Sequence, residues 1–90
     1  FSLGRGKNDR HMEPFFVQLM PEQNGDRPFS SHEGEEFIVV QTGKILVTYG
    51  DATYTLEPGD SIYYNSIVPH DVACIGNEPA EIYAVLYIPN

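Results

Sequence analysis

His32-Glu33-Gly34-Glu35-Glu36 and Pro69-His70 supply two imidazoles and a carboxylate from two short stretches, with His70 lying 38 residues beyond His32. Two ring nitrogens and one carboxylate oxygen on one face of an octahedron leave positions open for water, oxygen or a chelating ligand. That donor set suits Fe(II), and also Mn, Co, Ni or Zn. The candidate metal ligands are His32, Glu36 and His70. A straight strand would spread His32 and Glu36 over roughly 13 Å, whereas ligand atoms must come within about 2.0–2.3 Å of one ion. Gly34, with no Cβ, is where the chain can bulge or turn to bring His32 back toward Glu36. His70 must arrive on a separate, late strand.

Other constellations are weaker. Ser30 and Ser31 beside His32 pair hydroxyls with an imidazole, but no orienting third group or nucleophile elbow supports a hydrolase triad. No Gly-x-Gly-x-x-Gly or Walker loop offers a phosphate cradle. Cys74 lies four residues past His70 on one strand, roughly 13 Å away, and reads as a small buried apolar residue rather than a ligand. His11 reads as a surface or edge-strand residue, and Tyr54 and Tyr63 are candidates to line a ligand cavity. Beyond the three ligands no acid or base stands out, so no catalytic residue is assigned and no organic cofactor is expected.

The elements that must position these groups are all strands. No window of helical length keeps apolar residues at three-and-four spacing, whereas period-two and short apolar runs recur between turn signals. Residues 1–12 read as a Gly-bearing, charged arm or linker, and residues 13–90 as one barrel domain. A first strand is expected from about Phe15 to Met20, followed by a loop carrying Asn24-Gly25-Asp26 and Pro28. Glu35–Gln41 and Ile45–Tyr49 read as a hairpin about Thr42-Gly43-Lys44. Thr53–Leu56 and Ser61–Tyr64 follow, divided by Glu57-Pro58-Gly59-Asp60, and Val68–Ile75 and Ala80–Ile88 read as a last pair joined at Gly76-Asn77-Glu78-Pro79. Seven or eight short strands in 90 residues predict a small all-β barrel or jelly roll.

Composition narrows the partners. Ninety residues, 41% of them hydrophobic, make one core. The net charge is −8, and three of the five basic residues, Arg5, Lys7 and Arg10, fall in the first ten positions. So acidic a surface repels phosphate backbones, which argues against direct nucleic-acid contact by this chain. Cys74 is the only cysteine, so no intrachain disulfide can form, and a reducing, cytoplasmic setting is expected. No apolar run reaches the roughly 20 residues of a membrane span. The first residue is Phe1 rather than Met, which suggests a piece of a longer protein.

The chain resembles the cupin superfamily, whose first motif is Gly-x5-His-x-His-x3,4-Glu-x6-Gly and whose second is Gly-x5-Pro-x-Gly-x2-His-x3-Asn. Glu36 and Gly43 match the end of the first motif, and His32 takes the place of its second histidine; Ser30 stands where the first would be. In the second motif Gly59 and His70 fit, while Asn65, Ile67 and Cys74 replace the Pro, Gly and Asn. His11-Met12-Glu13-Pro14-Phe15, Ser31–Phe37 and Leu56–Ser61 look most like the sensor domains attached to helix-turn-helix regulators. That subgroup also includes a non-haem iron epoxidase using His-x3-Glu and a distant His, so loss of the first histidine is compatible with a metal.

The resemblance implies a double-stranded β-helix holding a divalent metal and a small-molecule ligand, in a regulator whose DNA-binding domain is a separate unit. Two alternatives stand beside it: a metal-dependent oxygenase or epoxidase using the 2-His-1-Glu site, and a metal-free cupin serving as a dimerisation module. A homodimer joined through strand edges is expected, since a short barrel leaves edges that pairing would cover.

Overall fold

The computed structural model describes residues 12–21 and 30–88. Seven strands follow in order: β1 Met12–Leu19, β2 Glu35–Thr42, β3 Lys44–Tyr49, β4 Ala52–Leu56, β5 Ser61–Asn65, β6 His70–Ile75 and β7 Ala80–Tyr87. They form two antiparallel sheets, one ordered β1-β7-β2-β5 and the other β4-β3-β6. A bridge from Ser30 to β6 at His70 extends the second sheet. Successive strands alternate between sheets at most turns, which is jelly-roll topology. The first strand begins at Met12, three residues before the position read from the sequence, and His11 lies outside the described residues.

The core sits between the sheets because each strand turns alternate side chains inward. Ile38 and Val40 of β2, with Ala80, Ile82 and Ala84 of β7, meet Ile45 and Val47 of β3, Leu56 of β4 and Cys74 of β6. Cys74 is buried as expected, its thiol donating to the Glu78 carbonyl at 3.0 Å.

Two pairings differ from the sequence reading. Strands β2 and β3 are not a hairpin: β2 lies between β5 and β7, while β3 lies between β4 and β6. The turn between them is a corner at which the chain passes from one sheet to the other. Gly43 makes that corner with φ of +77°, so close to β7 that a Cβ would stand 2.6 Å from Ala80 Cα and from the Pro79 carbonyl oxygen. Likewise β6 and β7 fall in different sheets and do not pair. The hairpin actually present is β3–β4, closed by Gly50-Asp51, in which Ile45 pairs with Leu56 and Tyr49 with Ala52.

Candidate metal centre

The segment before β2 is clamped before it becomes a strand. The amide of His32 donates to the Ser66 carbonyl at 3.0 Å, the Ser66 amide donates to the Gly34 carbonyl at 2.9 Å, and the Ser31 hydroxyl donates to the Ile67 carbonyl at 2.7 Å. Gly34 takes φ of +116°, a conformation that L side chains rarely adopt. The predicted bend is therefore real, and it sets His32 above the inward-facing Glu36. Ser66, fully buried, ties the 65–67 turn under this segment, and its hydroxyl has no partner among the described residues.

His70 reaches the same place from the opposite sheet. It starts β6, pairs with Tyr49 and exchanges two backbone hydrogen bonds with Ser30, at 2.8 and 2.9 Å. It therefore does not lie beside the Glu36 strand; it faces that strand across the barrel. The ligand atoms of His32, Glu36 and His70 all lie within 4.8 Å of one another. The position lost from the first motif stays at the site, because Ser30 lines a cavity of about 310 Å³ with the three residues, Asp71, Val72 and Leu86.

Donor chemistry fits a cation. His70 Nδ1 lies 2.8 Å from the Val68 carbonyl, which can only accept, so the proton is on Nδ1 and the Nε2 lone pair faces inward. Nε2 stands 3.5 Å from Glu36 Oε1. An imidazole lone pair and a carboxylate oxygen turned toward the same space are the donors that a divalent cation takes. His32 Nδ1 likewise faces the Glu33 carbonyl at 3.3 Å, leaving its Nε2 free. Ligands bonded at about 2.0–2.3 Å sit roughly 3 Å apart around an ion. Half-buried Glu36 and buried His70 nearly meet that spacing, and exposed His32 has the freedom to close the rest.

Sequence reading missed Tyr64. It pairs with Glu36 across β2 and β5, is 5% exposed, and donates its hydroxyl to Glu36 Oε1 at 2.9 Å. Burial first, then the Glu36 carboxylate, push its phenol well above the ordinary 10.0, so it remains a donor at any physiological pH. Its ring lies 5.0 Å from His70 and 5.2 Å from Tyr49. It also lines a second cavity, of about 450 Å³, together with Tyr49, Tyr54, Leu56, Ser61, Ile62 and Tyr63. A group that orients a ligating carboxylate typically changes metal affinity 10–100-fold. Tyr64→Phe is accordingly expected to weaken Co(II) or Zn(II) binding by about tenfold or more, read by calorimetric titration. Unchanged affinity would show that the hydroxyl does not orient Glu36.

The fold and its mouth together define a small jelly-roll barrel with a His/Glu/His cluster at one end. The chain belongs to the cupin family: the cupin domain profile matches residues 15–86. No curated protein sequence matches. Hydroxypropylphosphonic acid epoxidase from S. wedmorenis is similar at 28% identity and a TM-score of 0.75, covering 86% of this chain and 44% of that one. Its Fe(II) form in complex with substrate is similar at 26% identity and a TM-score of 0.75, covering 86% and 46%. An HTH_3 family transcriptional regulator from Vibrio cholerae is similar at 24% identity and a TM-score of 0.81, covering 99% and 49%, a likeness of fold. The chain thus spans about half the length of these structures. No helix among the described residues is long and apolar enough to cross a membrane.

Proposed function

We propose that this cupin is the effector-sensing domain of a larger, cytoplasmic, homodimeric regulator. In this reading His32, Glu36 and His70 hold a divalent metal ion, and a small chelating ligand completes its coordination. The observation that carries the proposal is the convergence of two imidazole nitrogens and one carboxylate oxygen at a cavity of about 310 Å³. That volume is at the low end for small-molecule sites. The bound ion would supply a Lewis-acidic centre with open positions. The chain's own contribution is to fix Glu36 through Tyr64, to fix the His70 tautomer through Val68, and to hold His32 on the Gly34 bend. The acidic surface fits a unit that leaves DNA contact to another domain.

An enzyme reading is favoured by one observation, the 26–28% identity to the epoxidase, which was solved with Fe(II) and substrate. The two readings separate on oxygen chemistry. Loaded anaerobically with Fe(II) and then given air and malonate as a chelating probe, the sensor is expected to show malonate-dependent thermal stabilisation and no catalytic oxygen uptake. Sustained uptake of many oxygen molecules per iron would overturn the sensor reading. Failure to retain any of Fe, Mn, Co, Ni or Zn after desalting, measured by inductively coupled plasma mass spectrometry, would overturn both and leave a metal-free module.

A further inference from the structure

We propose that the outer face of the four-stranded sheet is the surface through which two copies of this chain pair. The inference is independent of the metal reading. The strand register lays out that face as four cross-strand rows: Met12, Tyr87, Glu35 and Asn65; then Pro14, Val85, Phe37 and Tyr63; then Phe16, Tyr83, Val39 and Ser61; and, at one end, Gln18, Glu81 and Thr42. Nine of these fifteen outward positions are apolar or aromatic, all of them in the first three rows, where Glu35 is the one charge; Glu81 lies in the polar end row. Five of them stand open to solvent: Met12 is 61% exposed, Tyr63 65%, and Phe37, Tyr83 and Tyr87 40–42%.

The other sheet is a control within the same molecule. Its outward positions carry Thr48 between Thr53 and Asp71, Leu46 between Thr55 and Ala73, and Lys44 beside Ile75. That is the alternation of a sheet with one wet face. In the first sheet, alternation is lost: β1 carries Pro14-Phe15-Phe16-Val17, β2 carries Phe37-Ile38-Val39-Val40, and β7 runs apolar from Ile82 to Tyr87. Continuous apolar strands are the pattern of a sheet buried on both sides.

Size points to a second copy as the cover, and charge restricts where it can sit. Taking about 200 Å² for a fully exposed side chain of this size, the five most exposed residues alone leave roughly 500 Å² open. Two such faces together remove about 1,000 Å² from water, the size at which an interface becomes specific. A chain of net charge −8 repels its own copy, and contact costs least where charge is nearly absent. The face rather than the strand edges is thus the interface.

Sedimentation equilibrium of the 90-residue chain is expected to give a dimer at about 20 µM. Tyr83→Lys and Phe37→Lys would each raise the dissociation constant at least about tenfold, because each places an unpaired charge in the apolar contact. Thr53→Lys, on the other sheet's outer face, should leave it unchanged. Tyr63→Lys serves where the first two fail to fold, being the most exposed member of the face, with circular dichroism confirming strand content. A wild-type monomer at about 200 µM would overturn the proposal, since the face would then be covered by another part of the protein or not at all. So would a dimer that persists in a folded Tyr63→Lys chain, which would assign pairing to the edges.

Discussion

Gly43→Ala is expected to lower stability by about 3–4 kcal/mol, a large share of the roughly 5–15 kcal/mol that holds a small domain together. Two costs combine. Adopting φ of +77° costs an L side chain about 1–2 kcal/mol. The new Cβ would also stand 2.6 Å from Ala80 Cα and the Pro79 carbonyl oxygen, and 2.9 Å from Ala80 Cβ. Two of those three atoms are backbone and cannot swing aside, so β7 must shift at its first residue, an overpacking cost of about 1–3 kcal/mol. Gly59→Ala isolates the first cost, because Gly59 has φ of +93° and nothing within 4 Å of an added Cβ; about 1–2 kcal/mol is expected there. Urea denaturation followed by circular dichroism, at matched protein concentration, compares the two. Equal losses would mean that the β2–β3 corner does not press on β7.

That corner also marks where sequence reading stopped. Thr42-Gly43-Lys44 carries the residues of a hairpin turn, and the apolar alternation on either side is the same for strands that pair as for strands that part into facing sheets. Partner choice is decided by long-range contact, and the partners of β2 lie some 20 and 40 residues downstream. The strands and the bend at Gly34 were legible because they rest on local chemistry, turn residues and a missing Cβ; the three candidate ligands were legible as donor types at family spacing, though only the fold brings His70 to the other two. Tyr64 was not, since its bond to Glu36 exists only through the β2–β5 register. The uncovered sheet face falls between the two. Its apolar runs stand plainly in β1, β2 and β7, but their meaning needs the pairing that puts Tyr87 beside Met12 and Phe37 beside Tyr63.

His70→Ala is expected to weaken divalent metal binding by at least about 100-fold. Four-ligand structural zinc sites bind with about 10–16 kcal/mol, or roughly 3 kcal/mol per ligand, and each 1.4 kcal/mol is tenfold in affinity. His70 contributes more than an average ligand, because its tautomer and direction are already fixed by the Val68 carbonyl and no ordering cost remains. His32→Ala should cost less, since His32 is exposed and must give up rotamer freedom to bind. The substitution at 70 also strips the Val68 carbonyl of its partner, at about 1–3 kcal/mol of stability. Metal titration must therefore be run on chains whose strand content is first verified by circular dichroism. His70→Gln separates the two effects: its amide can still donate toward Val68, but it places no imidazole nitrogen against Glu36. A folded His70→Gln chain that binds Co(II) or Zn(II) as tightly as the wild type would remove His70 from the ligand set and leave its burial beside Glu36 and Tyr64 as a matter of core packing.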